Sequence, residues 1–125
     1  MGEPEFITSA SINDLGIIEI RTKGPASHES LKKNTNLMIK LGTKLAAQRK
    51  PILILIDGTG ITSQNLDSRQ AMIETMKKLP HKKIAFFGPA LLMGVVDTLA
   101  VLAGKEDSIR TFDTEEVATK WLLEQ

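Results

Sequence analysis

Polar residues that could take part in chemistry follow one apolar run of the chain. Residues 51–60 read PILILIDGTG, and Asp57, Thr59, Thr62 and Ser63 stand at or just after the end of the run. Ligands of open α/β sheets bind beyond the carboxyl ends of the strands, so these four side chains form a candidate polar loop site. A carboxylate beside hydroxyl groups at that place would suit a small-molecule enzyme.

The patterns that usually accompany such chemistry are absent. Gly58 and Gly60 would let backbone N–H groups approach a phosphate, but the chain lacks the GxGxxG spacing and no GK[ST] follows. His28 and His81 lie far apart without metal-ligand spacing, and there is no cysteine. We therefore predict no catalytic residue, no metal and no cofactor, and keep an enzyme centred on Asp57 only as an alternative.

The apolar run that would position this loop is predicted to be the central strand of the fold. Ile52–Ile56 are five consecutive apolar residues, which is typical of a strand buried on both faces, and Asp57–Gly60 is expected to end it abruptly. A strand buried on both faces needs helices on each side of its sheet. This requirement predicts an α/β fold.

Hydrophobic periodicity predicts four further strands and four helices around that strand. Phe6–Ile12 and Ile17–Thr22 alternate with a period of two and form an antiparallel hairpin that Lys23–Pro25 is expected to stop. The remaining elements are a helix from an N-cap at Ser27 to about Arg49, a helix over Leu66–Leu79, a strand over Lys83–Gly88, a helix over Ala90–Ala103, a strand over Ser108–Phe112, and a last helix with Asp113 as N-cap and Glu116 closing a capping box.

The predicted element order is β-β-α-β-α-β-α-β-α. Strands separated by single helices must be parallel, so the sheet is mostly parallel with an antiparallel hairpin at its N-terminal edge. The length of 125 residues fits one domain spanning residues 1–125. A net charge of +1 argues against a nucleic-acid partner, and the absence of cysteine suits a cytoplasmic location.

The helix over Ala90–Ala103 has more apolar residues than one sheet can cover. Asp97 and Thr98 are its only clearly polar members, whereas a surface helix needs apolar residues over about a third of its circumference. Because Pro89 and Asp97 interrupt the apolar stretch, we do not expect a transmembrane segment. We predict instead a homodimer contact, a protein partner or a lipid-like apolar ligand, with Leu92, Met93, Val96 and Leu99 as contacts.

The element order resembles the STAS fold of anti-sigma-factor antagonists. Two segments support the resemblance: the helix that opens with DSRQ at residues 67–70, and the closing stretch SIRTFDTEEVATKWL at 108–122, which is similar to that of the SpoIIAA-like group. That group is related to the CRAL-TRIO lipid-binding proteins. The resemblance implies a non-enzymatic regulatory or binding module.

The resemblance also implies a second function. Antagonists of this kind carry Asp-Ser-Ser-Gly at the start of the matching helix, where a partner kinase phosphorylates a serine; this chain has Asp67 and Ser68 followed by Arg69 and Gln70. A helix N-terminus tolerates the negative charge of a phosphate. Ser68 is therefore a candidate phosphorylation site, and its alternative role is to cap the first turn of the helix.

Overall fold

The computed structural model describes residues 6–64 and 66–124, with backbone alone at 63, 64, 66 and 67. Five strands and four helices follow one another in the predicted order. They are β1 (Ile7–Ile12), β2 (Ile18–Ala26), α1 (His28–Ala47), β3 (Leu53–Gln64), α2 (Leu66–Lys78), β4 (Lys83–Phe87), α3 (Ala90–Leu102), β5 (Ile109–Phe112) and α4 (Glu115–Leu123).

The strands form one sheet in the sequential order β1-β2-β3-β4-β5. β1 pairs antiparallel with β2, and every other pair is parallel, so the predicted mixed sheet with an N-terminal hairpin is confirmed. Successive right-handed crossovers that advance in one direction across a sheet place their helices on one side. Accordingly α1, α2 and α3 share one side, which we call the three-helix face, and α4 covers the other, the one-helix face.

The central strand β3 is buried between the two faces. Ile54 packs towards the three-helix face, where α2 contributes Met72 and Met76. Leu53 and Leu55 point the other way, against Ala118, Trp121 and Leu122 of α4. The expectation that helices cover both sides of this strand is therefore correct, although they are distributed three to one.

β2 and β3 are longer than the sequence pattern predicts, and their ends at Thr22 and Asp57 were placed wrongly. β2 reaches Ala26 and β3 reaches Gln64. The register jumps from Arg21 opposite Asp57 to Lys23 opposite Gly60, which is a β-bulge. A Cβ atom at Gly60 would collide with the Thr22 carbonyl oxygen, so the glycine permits the strand to continue rather than ending it.

The N-cap predicted for α1 is confirmed, and the N-cap predicted for α4 is wrong. Ser27 is the N-cap of α1 as predicted, and its hydroxyl accepts a hydrogen bond from the Ser30 backbone N–H. The cap predicted at Asp113 is wrong: Thr114 is the N-cap of α4, and its hydroxyl accepts from the Val117 N–H. Both Asp113 and Thr114 are N-cap residue types, so the pattern allowed either.

Candidate functional site

Most of the predicted contact residues of α3 lie inside the core of a single chain. Val96 is 1% exposed, and Met93 and Leu99 are also buried, while Leu92 is partly buried. All four belong to, or pack against, the core of the three-helix face. Their placement therefore leaves Met93 and Val96 inaccessible to a second chain and Leu99 only 5% exposed, and it directs attention to the other side of the helix.

The outer side of α3 still exposes large apolar side chains. Leu91 is 88% exposed and Leu102 is 61% exposed, with Val101 close behind at 59%. Leu91 and Leu102 border a groove of about 590 Å³ that runs between α2 and α3. The groove is lined by Arg69, Gln70 and Ile73 of α2 and by Ala90, Leu91, Gly94, Val95, Thr98, Leu99 and Leu102 of α3.

The floor of this groove is shaped by Gly94. A Cβ atom added there would have no heavy atom within 4 Å, so the glycine leaves a hollow in the surface of α3. Gly94 is not among the predicted site residues, although a glycine inside a helical pattern is itself a signal for close packing. Leu91, Gly94, Thr98 and Leu102 stand at helical spacings of three and four and define what we call the α3 outer surface.

The charges at the α3 outer surface are few. Asp97, the acidic residue of the helix, accepts a hydrogen bond from the Thr111 hydroxyl of β5 at 2.8 Å. Arg69 provides a positive charge on the α2 side of the groove. The surface is therefore mainly apolar, with small side chains at its centre and leucines at both ends.

The predicted polar loop site forms part of an ion-pair cluster on the sheet. Asp57 Oδ2 accepts from Arg21 Nη1 at 3.0 Å, and its Oδ1 accepts from the Thr59 N–H at 2.9 Å and the Thr59 hydroxyl at 2.6 Å. Arg21 also donates to Glu115 at the start of α4 and lies 3.7 Å from Glu19. The cluster joins β2, β3 and α4 where α4 begins.

The electrostatics of this cluster favour the ionised forms of Asp57 and Arg21. Partial burial would raise the pKa of Asp57, but hydrogen bonds from the Thr59 hydroxyl and N–H and the Arg21 guanidinium outweigh it and lower that pKa. The hydrogen bond to Glu115 raises the pKa of Arg21 against the opposing effect of burial, and Asp57 adds to the rise. With both Asp57 oxygens already hydrogen bonded, the geometry suits a structural clamp.

The four residues predicted for the polar loop are separated by the extension of β3. Asp57 and Thr59 lie together, whereas Thr62 is exposed and borders a second groove with Pro89 and Leu92. The side chain of Ser63 lies outside the described part of the chain. Arg21 and Glu115 are not among the predicted site residues, although alternation with the buried Ile18 and Ile20 marks Arg21 as facing the other side of β2.

Ser68 lies in the first turn of α2 and is 1% exposed. A kinase must reach the hydroxyl group and a phosphate must be solvated or paired, so modification would first require the start of α2 to open. The burial of Ser68 therefore favours its structural role over the predicted phosphorylation switch.

Within residues 6–64 and 66–124, no helix combines the length and the apolar character needed to cross a bilayer.

Comparisons with known proteins support the fold. No family model and no curated protein sequence matches the chain. Among solved structures, the chain is similar to an uncharacterised protein of the DUF3478 family from Shewanella loihica PV-4, described as having a SpoIIAA-like fold. The two share 20% sequence identity with a TM-score of 0.67, over 98% of each chain. Together with the sheet order and the four helices, this likeness shows that the chain has a SpoIIAA-like α/β fold.

Proposed function

We propose that this protein is a non-enzymatic binding module that docks a second copy of itself through the α3 outer surface. The observation that carries the proposal is Leu91, which is 88% exposed beside the hollow at Gly94. Burying one leucine side chain contributes about 1.5–3 kcal/mol, so a partner that covers Leu91 gains a substantial part of its binding free energy there.

Gly94 supports a close approach by another chain. A glycine in a helix interior costs about 1 kcal/mol relative to alanine, and no neighbouring side chain within the same chain needs the space. A second helix packed across Gly94 would use the hollow, because a small residue at the crossing point lets two helices come near each other. In an isolated chain, glycine at position 94 only lowers the stability of the helix.

The α3 outer surface is complementary to itself. Leu91 and Leu102 are eleven residues apart, or about 16 Å along the helix axis, with Gly94 and Thr98 between them. A two-fold axis near the centre would run the two α3 helices antiparallel and set Leu91 of each copy beside Leu102 of the other. The leucines at the ends would then cover the small residues at the middle.

The charge distribution also suits a second copy. Residues that lie on the two-fold axis meet their own equivalents, so a charge there would face a like charge and the centre of the interface should be uncharged. The α3 outer surface meets this condition, since Leu91, Gly94, Thr98 and Leu102 are all uncharged and the Asp97 carboxylate is hydrogen bonded to Thr111. A strongly acidic or basic partner would meet no opposite charges on these four residues.

Sedimentation velocity over a range of concentrations tests the proposal. We expect the wild type to dimerise, Leu91→Ala to weaken the dimer by about tenfold or more, and Leu15→Ala to leave it unchanged. Leu15 is a matched control because it is also an exposed leucine, 57% exposed, in the turn between β1 and β2.

Gly94→Ala is a second variant for the same experiment. In diluted, monomeric protein we expect the substitution to raise the free energy of unfolding by about 0.5–1 kcal/mol, because alanine favours the helix. At high concentration it should weaken the dimer, because the methyl group fills the hollow. A wild-type protein that stays monomeric, or a dimer indifferent to both α3 substitutions, would overturn the proposal, as would a monomer that carries a bound lipid.

A further inference from the structure

The three-helix face encloses a cavity of about 50 Å³ between α1, α2 and the sheet. Its walls are almost entirely apolar and include Ile20, Met38, Met72, Met76, Ile84 and Phe86. The cavity lies away from the α3 outer surface, and α3 contributes no residue to its lining. Whatever occupies it is therefore independent of the proposed dimer.

One buried polar group lies against this cavity without a partner. Asn34 of α1 lines the cavity and is 5% exposed, and its side-chain oxygen Oδ1 has no hydrogen-bond partner among the described residues. An unsatisfied buried acceptor costs about 1–3 kcal/mol. Leucine at the same place would not carry this cost, and a hydrogen-bond donor bound in the cavity would remove it.

The neighbouring hydroxyl groups cannot satisfy Asn34, because their protons are already used. Thr22 donates to the Asp57 carbonyl oxygen at 3.0 Å, and Thr35 donates to the Leu31 carbonyl oxygen at 2.8 Å. The contact of 2.9 Å between Thr35 and Thr75 is then a donation from Thr75. Asn34 Oδ1 is therefore an unpaired acceptor beside the cavity, and none of the described residues that line its wall is charged.

We propose that this cavity binds a small neutral molecule with an apolar body and one O–H or N–H group, of the alcohol, phenol or indole class. The donor group would hydrogen bond to Asn34 Oδ1 and the apolar body would lie against the methionines. An anion would find no counter-charge among the described lining residues, and a hydrocarbon without a donor would leave the acceptor unsatisfied.

The size of the cavity sets the expected manner of binding. A space of about 50 Å³ holds water easily but is smaller than the roughly 150 Å³ that admits benzene in a protein interior. Met38, Met72 and Met76 have unbranched, flexible side chains that can repack to enlarge it. Binding should therefore move the methionine methyl groups most.

Titration with phenol and toluene tests the proposal, because the two molecules have nearly the same shape and only phenol donates a hydrogen bond. The dissociation constants are measured from the NMR shifts of the methionine methyl groups. In the wild type, we expect the preference for phenol over toluene to exceed that of Asn34→Leu by about fivefold, the effect of one neutral hydrogen bond. Asn36→Leu is the matched control, since Asn36 is an exposed residue of the same helix.

A second measurement keeps the test valid if Asn34→Leu does not fold. In the wild type, phenol should shift the side-chain amide signal of Asn34, whereas toluene should shift only the methyl signals. The proposal is overturned if neither molecule shifts the methionines, which would leave water as the occupant. It is equally overturned if the wild type and Asn34→Leu show the same preference.

Discussion

The two faces of the sheet are covered in different ways. On the three-helix face, α1, α2 and α3 share an apolar core that also holds a cavity and a buried amide. On the one-helix face, α4 alone covers part of the sheet, and its buried residues Ala118, Trp121 and Leu122 pack against it. Where α4 begins, the ion-pair cluster of Arg21, Asp57 and Glu115 joins the helix to β2 and β3.

The difference indicates where binding and where stability are concentrated. Three helices that pack side by side leave grooves and spaces between them, and both proposed binding surfaces lie there. A single helix must be held firmly, and α4 is fixed by apolar contacts and by Arg21, which bonds to its first residue, Glu115. We therefore expect loss of the α4 contacts at Trp121 to cost the most stability, and substitutions at the α3 outer surface and in the cavity to change binding.

Trp121→Ala should have the largest effect on stability. The Trp121 ring lies 5.5 Å from the Phe112 ring and beneath the Lys83 ammonium group at 4.8 Å, and no second helix can replace those contacts. We expect the free energy of unfolding, measured by urea denaturation, to fall by about 4 kcal/mol. Leu99→Ala, on the other face, should cost about 2 kcal/mol, because the methionine-rich core can partly close the space. Equal losses at the two positions would contradict the comparison.

Ser68→Asp should have the next largest effect. The side chain is 1% exposed on the three-helix face, so an aspartate would bury a charge, and we expect the free energy of unfolding to fall by about 3 kcal/mol. Gln70→Asp, two residues further on at an exposed site, adds the same charge and should change it by less than about 0.5 kcal/mol. A Ser68→Asp protein as stable as the wild type would show that this helix start accepts a phosphate-like charge.

The order of the elements and their packing against the sheet follow from residues near one another in sequence. Alternation in Ile17–Thr22 and the run Ile52–Ile56 predict strands correctly, and Ser27 predicts the start of α1. These signals are local, because hydrophobic periodicity and capping depend on a few neighbouring residues. Where only local geometry matters, the sequence is sufficient.

The candidate sites depend on contacts that no local pattern contains. Arg21 and Asp57 are 36 positions apart in the chain, and they meet because of the register of β2 against β3. In α3 nearly every residue is apolar, so periodicity cannot tell the buried Val96 from the exposed Leu91. Asn34 is the exception, since it falls three residues after Leu31 and four before Met38, on the apolar side of α1.

Asp57→Asn should have the smallest effect, and its pH dependence distinguishes a clamp from a catalytic group. The Arg21–Asp57 pair is partly exposed to solvent, so we expect the substitution to lower the free energy of unfolding at pH 7 by only about 0.5–1 kcal/mol. Because folding lowers the pKa of Asp57 below its ordinary value of 3.8, the carboxylate stabilises the fold above that pH, and the contribution is lost as the pH falls through the lower, folded value. The difference between wild type and Asp57→Asn should therefore be constant near neutrality and disappear in acid.

Asp107→Asn, at an exposed turn, is the control for charge alone. A difference that instead changed between pH 6 and 8 would mean that Asp57 titrates near neutrality, as a general acid or base must, and the clamp interpretation would fail.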